Sequence, residues 1–185
     1  KRIVLLGTLM ALMPIAKPLV IGTGAAVTST ASILIVPESA NAEKDDLEEK
    51  KAQAEKKKAI SDFNKAIFHY NRGVKKFNEG NYSRAISDFS KAIKLNPRDA
   101  DAYYNRGVVK GILKDYSGAI SDYKKAIKIN PRFEQAYSNS GLAKWVIKDY
   151  PGAIFDFNKV IKINPSNPDA YYNRGVAKQA VKDYS

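Results

Sequence analysis

The chain has 185 residues, with 31 Lys and Arg against 19 Asp and Glu, a formal net charge of +12 at pH 7. Its 44% hydrophobic and 27% charged content excludes a wholly disordered polypeptide. The lack of cysteine excludes disulfides, thiolate metal sites and cysteine nucleophiles, and a single histidine leaves no usual N/S donor set for zinc.

Composition changes near residue 42. Upstream of it, Lys1, Arg2, Lys17 and Glu38 are the only ionisable side chains, and apolar runs cover 3–16 and 19–36. A basic start, an apolar middle and small residues at Ala40 and Ala42 are the parts of an export signal. The expectation is an export signal or membrane anchor over 1–42. The folded part is then exported, to a periplasm or thylakoid lumen, either soluble after cleavage near Ala42 or membrane-anchored. The alternative left open is a buried helix of the fold. The first run is too short to span a bilayer, and the second is diluted with Thr, Ser and Gly.

Residues 43–65 read as a charged helical lead-in. Over 43–58 there are six acidic and six basic residues, with Leu47 the sole large apolar side chain. That suits a spacer, a stalk or a solvated helix. Asp45 or Asp46, followed three residues on by Glu48 or Glu49, is a helix start. One long helix from about 46 to 78 is predicted. Residues 59–67 (AISDFNKAI) copy 85–93 (AISDFSKAI) only 26 residues ahead, with no Asn-Pro between them and the next helix.

From there a period of 34 organises the chain. Gly73, Gly107, Gly141 and Gly175 are so spaced, as are Asn71, Asn105, Asn139 and Asn173, and Tyr82, Tyr116, Tyr150 and Tyr184. Ala85, Ala119 and Ala153 keep the register, and Asn-Pro closes each unit at Pro97, Pro131 and Pro165. Such columns are the mark of a tandem repeat. In residues 100–133 a first helix is expected over 101–113 and a turn at Lys114-Asp115. The apolar face of a second helix then carries Ala119, Ile120, Tyr123, Ala126 and Ile127. Proline disfavours helical geometry before it and ends the second helix. Gly107, costly inside a helix by about 1 kcal/mol against Ala, implies a close helix approach, with Ala119 facing it.

The spacing, with Tyr103, Gly107, Ala119, Tyr123, Ala126 and Pro131, resembles the tetratricopeptide repeat. The match covers repeats 66–99, 100–133 and 134–167 and a half repeat at 168–185, which reads as a truncated array. Arg72, Arg106 and Arg174, with Ser140, stand where the family often has Leu. Lys76, Lys110, Lys144 and Lys178 stand where it usually has Tyr. His69 replaces the aromatic of Tyr103, Tyr137 and Tyr171 and reads as a packing substitute. The resemblance implies an all-α, right-handed solenoid of antiparallel helix pairs and a protein-binding scaffold or adaptor that assists assembly.

It also implies a groove. The sixth and ninth positions of each repeat face it in the family: Asn71, Asn105, Asn139 and Asn173, then Val74, Val108, Leu142 and Val176. Tyr70, Tyr104 and Tyr172 precede three of the Asn residues, and Trp145 lies further along. An Asn amide both donates and accepts, so the column resembles the asparagine ladder of O-linked sugar transferases, which reads peptide backbone. The competing reading is a tolerated exposed polar residue. Chaperone-binding members clamp a terminal carboxylate with Lys and Asn where this chain has Tyr70 and Val74, and with Lys and Arg where it has Gln135 and Asn139.

Catalytic signatures are missing: there is no phosphate loop, no G-x-S-x-G and no H-E-x-x-H. Asp88, Asp122 and Asp156 recur once per repeat and read as structural surface residues. Gly107 and Gly111 form a G-x-x-x-G in a lysine-containing segment, and Asn81-Tyr82-Ser83 is a sequon placed at a turn. No enzyme, cofactor or metal is expected. The partner is a protein or peptide. Residues 43–185 retain 28 basic and 18 acidic side chains, so the alternative is a basic electrostatic adaptor for an anionic membrane surface or, less favoured in an exported protein, nucleic acid.

Overall fold

The computed structural model describes residues 38–183, with side chains over 43–182. The expectations for the apolar runs at 3–16 and 19–36 lie outside the described residues. Seven helices follow one another among the described residues, none long and apolar enough to cross a membrane. They are α1 (Glu38–Asn78), α2 (Tyr82–Leu95), α3 (Ala100–Ile112), α4 (Tyr116–Ile129), α5 (Glu134–Val146), α6 (Tyr150–Ile163) and α7 (Pro168–Asp183).

The long helix α1 starts at Glu38, eight residues before the Asp46 predicted from capping. After Pro37 nothing in 38–45 (ESANAEKD) is a proline, a glycine or a β-branched residue, so no local signal stops the helix there. Of the other helices, all but α5, which starts after Phe133, are capped by a side chain of their own sequence. Asn81, Asp99, Asp115 and Asp149 each accept a hydrogen bond from a backbone N–H three residues on, as Asn167 does for α7. At the opposite ends Asn96, Asn130 and Asn164 terminate the second helices before proline. Between paired helices the chain reverses through one left-handed residue: Gly80 (φ 72°), then Lys114 (φ 65°) and Lys148 (φ 66°). Only Gly80 adopts that geometry without strain. At the lysines the backbone bonds Asp115 N–H to Lys110 O and Asp149 N–H to Lys144 O hold the turn.

The last turns of α1, then α3, α5 and α7, are the first helices of the pairs, called A here; α2, α4 and α6 are the B helices. Gly73, Gly107 and Gly141, one in each helix pair, lie under a B aromatic. A Cβ built at Gly73, Gly107 or Gly141 would stand 2.7–2.8 Å from the ring of Phe89, Tyr123 or Phe157. The chief neighbour of Gly107 is therefore the Tyr123 ring, not Ala119, whose carbonyl oxygen is next at 3.2 Å. Ala85, Ala119 and Ala153 are fully buried, as are Val109 and Val160. Successive helices pack in chain order, and A helices also touch one repeat apart, α3 on α5 and α5 on α7. That A-to-A contact makes the A helices the inner wall of the stack.

Asp88, Asp122 and Asp156 are not surface residues: they are 3–4% exposed. Each receives a cation from its own A helix. Arg72 donates Nε and Nη2 to the two oxygens of Asp88, and Arg106 does the same to Asp122 at 2.9 and 2.6 Å. Lys110 adds a 2.8 Å pair to Asp122. In the third repeat Ser140 replaces the arginine and Lys144 alone holds Asp156 at 2.6 Å. Arg and Lys thus stand at family positions for Leu and Tyr because a buried carboxylate needs a partner.

Candidate functional site

The groove residues separate into two groups. Over the first repeats they knit neighbouring repeats together. Asn105 donates through Nδ2 to the Tyr70 hydroxyl at 2.9 Å, and Asn139 donates to the Tyr104 hydroxyl at 3.1 Å. Each bond spans 35 residues, so Asn105 ties α3 to α1 and Asn139 ties α5 to α3. Asn139 also bonds the Tyr123 phenol, and an Asn carries two N–H donors and a carbonyl acceptor in all. Asn71, at the start of the array, is exposed, and Val74 packs on the cluster of Ala85, Phe89 and Val109. Val108 is half-buried.

Tyrosines concentrate here. Tyr104 lies 5.9 Å from the Tyr123 ring and 4.9 Å from that of Phe133, and Tyr70 is 5.9 Å from Phe89. Burial is the chief cause that pushes the phenols of Tyr70, Tyr104, Tyr123 and Tyr137 above their usual range. Nearby acids add to it, Asp101 at Tyr70 and Asp156 at Tyr137, while the Asn bonds to Tyr70 and Tyr104 act in the opposite sense.

At the other end the same column opens into a cleft of about 180 Å³, lined by Leu142, Trp145, Tyr172, Asn173 and Val176 over the edge of Phe157. Leu142 and Trp145 are each 42% exposed and Tyr172 is 73% exposed. Ser138 stands one repeat after Tyr104, so Asn173 has no phenol to bond as Asn105 and Asn139 do. Five of the groove residues picked out in the sequence meet at this cleft. Phe157, its floor, was not among them, although the aromatic column Phe89, Tyr123 and Phe157 opposite the glycines is the signal that marks it.

His69 is half-buried on α1, with Nδ1 3.5 Å from Asp88 Oδ1. A carboxylate is therefore fixed beside it, because His69 lies one turn before Arg72 on the same helix face. Both oxygens of Asp88 are already gripped by Arg72, which is the main cause holding that carboxyl below its usual range. Asn81, the sequon asparagine, uses its side chain to cap α2.

Comparison with known proteins accords with this geometry. The family model described as tetratricopeptide repeat matches residues 100–133, and a second, described as TPR repeat, matches 75–111 and 148–182. No curated protein matches the sequence significantly. Among solved structures, the first TPR of Spaghetti (RPAP3) bound to the HSP90 peptide SRMEEVD is 28% identical, with a TM-score of 0.62 over 65% of this chain and 95% of that one. The second TPR domain of human RPAP3, in complex with the HSP70 peptide SGPTIEEVD, is 27% identical, with a TM-score of 0.59 over 62% and 95%. The Arabidopsis OM64 TPR domain shares the fold at 24% identity and a TM-score of 0.61, over 64% and 98%. With its 34-residue helix pairs, glycine-under-aromatic packing and inner wall of A helices, the chain belongs to the tetratricopeptide repeat family.

Proposed function

We propose that the protein is a non-catalytic binding scaffold that holds an extended peptide or partner protein along its A helices and so assists assembly. The observation that carries this reading is the cleft of Leu142, Trp145, Tyr172, Asn173 and Val176. Exposed aromatic and aliphatic side chains over a packed floor are what a bulky apolar residue of a partner needs as an anchor. The two RPAP3 domains, seen with peptides ending in EEVD, support a peptide as the ligand class. The ligand of this chain differs from those peptides. Tyr70, Val74, Gln135 and Asn139 stand where a terminal-carboxylate clamp needs Lys, Asn, Lys and Arg, so an internal apolar segment is the fitting occupant.

A fluorescent set of peptides, some with one central Trp, Phe or Leu and some ending in Glu-Glu-Val-Asp, tests it. Peptides with an apolar centre should bind, and Trp145→Ala should weaken them about tenfold or more at unchanged melting temperature. Binding confined to the acidic-ended peptides, or untouched by Trp145→Ala, overturns the reading. A second reading, an adaptor for an anionic surface, is favoured by two clefts one repeat apart. Arg98, Lys125 and Lys128 line the first with Tyr103, and Arg132, Lys159 and Lys162 line the second with Tyr137. Salt-steep binding to anionic vesicles or RNA, with no peptide bound, would favour it.

The export signal or anchor over 1–42 belongs to the same proposal and sets the scaffold in an exported compartment.

A further inference from the structure

The three B helices carry one sign of charge on their outer side. Asp88, Asp122 and Asp156 are the only acids in α2, α4 and α6. All three are buried, and each is held by a cation of its own A helix. The exposed charges of the B helices are therefore all basic. Lys91 and Lys94, Lys125 and Lys128, and Lys159 and Lys162 occupy the same two positions in successive repeats. Five of the six are exposed and Lys159 is half-buried, and none enters an ion pair among the described residues. Like charges three residues apart on one helix face repel, so the stripe costs stability and gains no partner within the chain.

Two further features lie on the same side. Arg98 and Arg132, from the Asn-Pro-Arg turns, join the second and third lysine pairs and make the two basic clefts, of about 500 and 380 Å³. Ile129 and Ile163 give each an apolar rim. One turn before Lys159 on the stripe stands Phe155, which is 57% exposed, with Lys159 Nζ 5.2 Å from its ring centroid. Ser87 and Ser121 hold the same position in the two preceding repeats and are exposed as well, so exposure belongs to this outer position throughout the array.

We propose that the outer side of the B helices is a docking surface for an anionic lipid bilayer. The lysines lie against acidic headgroups, a lipid phosphate enters each basic cleft, and the Phe155 ring sits at the boundary of headgroups and acyl chains. Six lysines in three rows spread charge in two dimensions, which suits a plane of headgroups; a polyanionic strand follows a single line. Compact ammonium groups suit that contact, whereas nucleic acid is gripped by planar guanidinium groups and several aromatic platforms. Docking here rests on the anionic-surface reading given above. It leaves the apolar cleft of the A helices open, so one molecule holds a peptide and a bilayer together.

Vesicles of phosphatidylcholine alone, and of phosphatidylcholine and phosphatidylserine in equal parts, test this with the full chain. Amine acetylation read by mass spectrometry reports each lysine separately, so attachment through residues 1–42 does not mask the result. Lys125, Lys128 and Lys162 should be protected by the anionic vesicles and not by the neutral ones, and Lys56, Lys57 and Lys58 of α1 by neither. Combining Lys125→Gln, Lys128→Gln, Lys159→Gln and Lys162→Gln should weaken co-sedimentation with anionic vesicles more than about a hundredfold, with the melting temperature unchanged or raised. Lys56→Gln, Lys57→Gln and Lys58→Gln together should have little effect. Phe155→Ser, which installs the residue of the other repeats, should weaken binding about tenfold. Trp145→Ala should leave vesicle binding as it is, which keeps this test apart from that of the peptide cleft. Equal protection by both vesicles, a loss no greater from the stripe than from α1, or Phe155→Ser without effect overturns the proposal. So does stripe-dependent binding of polyuridine or polyglutamate that is tighter than that of vesicles, which would assign the face to a polyanionic chain.

Discussion

Gly107 is a position where one absent side chain decides how two helices meet. A Cβ there would lie 2.7 Å from the Tyr123 ring, inside any tolerable carbon contact, and 3.2 Å from a backbone oxygen that cannot move aside. Gly107→Leu is expected to push α3 and α4 apart and lower stability by about 1–3 kcal/mol, read as a lower midpoint in urea denaturation. An unchanged midpoint would contradict the pairing. At Gly175, in the same register, a built Cβ meets nothing within 4 Å among the described residues. What glycine contributes therefore depends on the helix opposite. The arginine-aspartate pairs follow similar logic: Arg72 and Arg106 depart from the usual apolar residue, yet each grips both oxygens of a buried acid.

Between elements, the joints are phenols. Tyr70 to Asn105 and Tyr104 to Asn139 link consecutive A helices, and Tyr123 fills the space over Gly107. All three phenols, with Tyr137, hold their protons above the usual pKa because burial opposes the phenolate. In the unfolded chain a tyrosine loses its proton near pH 10, which is about the model-peptide value. Above that pH the unfolded chain binds fewer protons than the fold, so stability falls as pH rises, while below it these groups leave stability flat. The loss approaches about 1.4 kcal/mol per pH unit for each phenol that ionises only on unfolding. Denaturation midpoints measured between pH 8 and strongly alkaline pH should drop for the wild type. Tyr123→Phe, which installs the residue found at Phe89 and Phe157, should flatten that fall. An identical fall in the variant would remove Tyr123 from the account.

Across the described residues, three helix pairs and a further A helix present a wall of A helices that is knit by Asn–Tyr bonds at one end and opens into an apolar cleft at the other. A scaffold needs that division, because a rigid array holds its exposed anchor in a fixed place. Export concerns this scale too. The expectation is that mature protein begins at Glu43, after Ala40-x-Ala42. N-terminal sequencing of the native protein checks it, and a chain that retains residues 3–36 would instead be held by an anchor.

The repeat period, the helix pairs and their ends were readable from the amino acids alone, because each depends on local chemistry. Caps, Asn-Pro stops and the spacing of apolar residues act within a few residues of chain. The start of α1 escaped because helix continues wherever nothing stops it. The fate of polar groups was decided by tertiary structure. Asp122 looked like a surface acid until Arg106 and Lys110 were found folded onto it, and the Asn column looked like a row of free amides until Asn105 and Asn139 were found bonded to Tyr70 and Tyr104. A partner that lies 16 or 35 residues away leaves no mark on local pattern. Only packing brings the two together, and only packing shows that Phe63, in a segment that copies the one around buried Phe89, is half exposed.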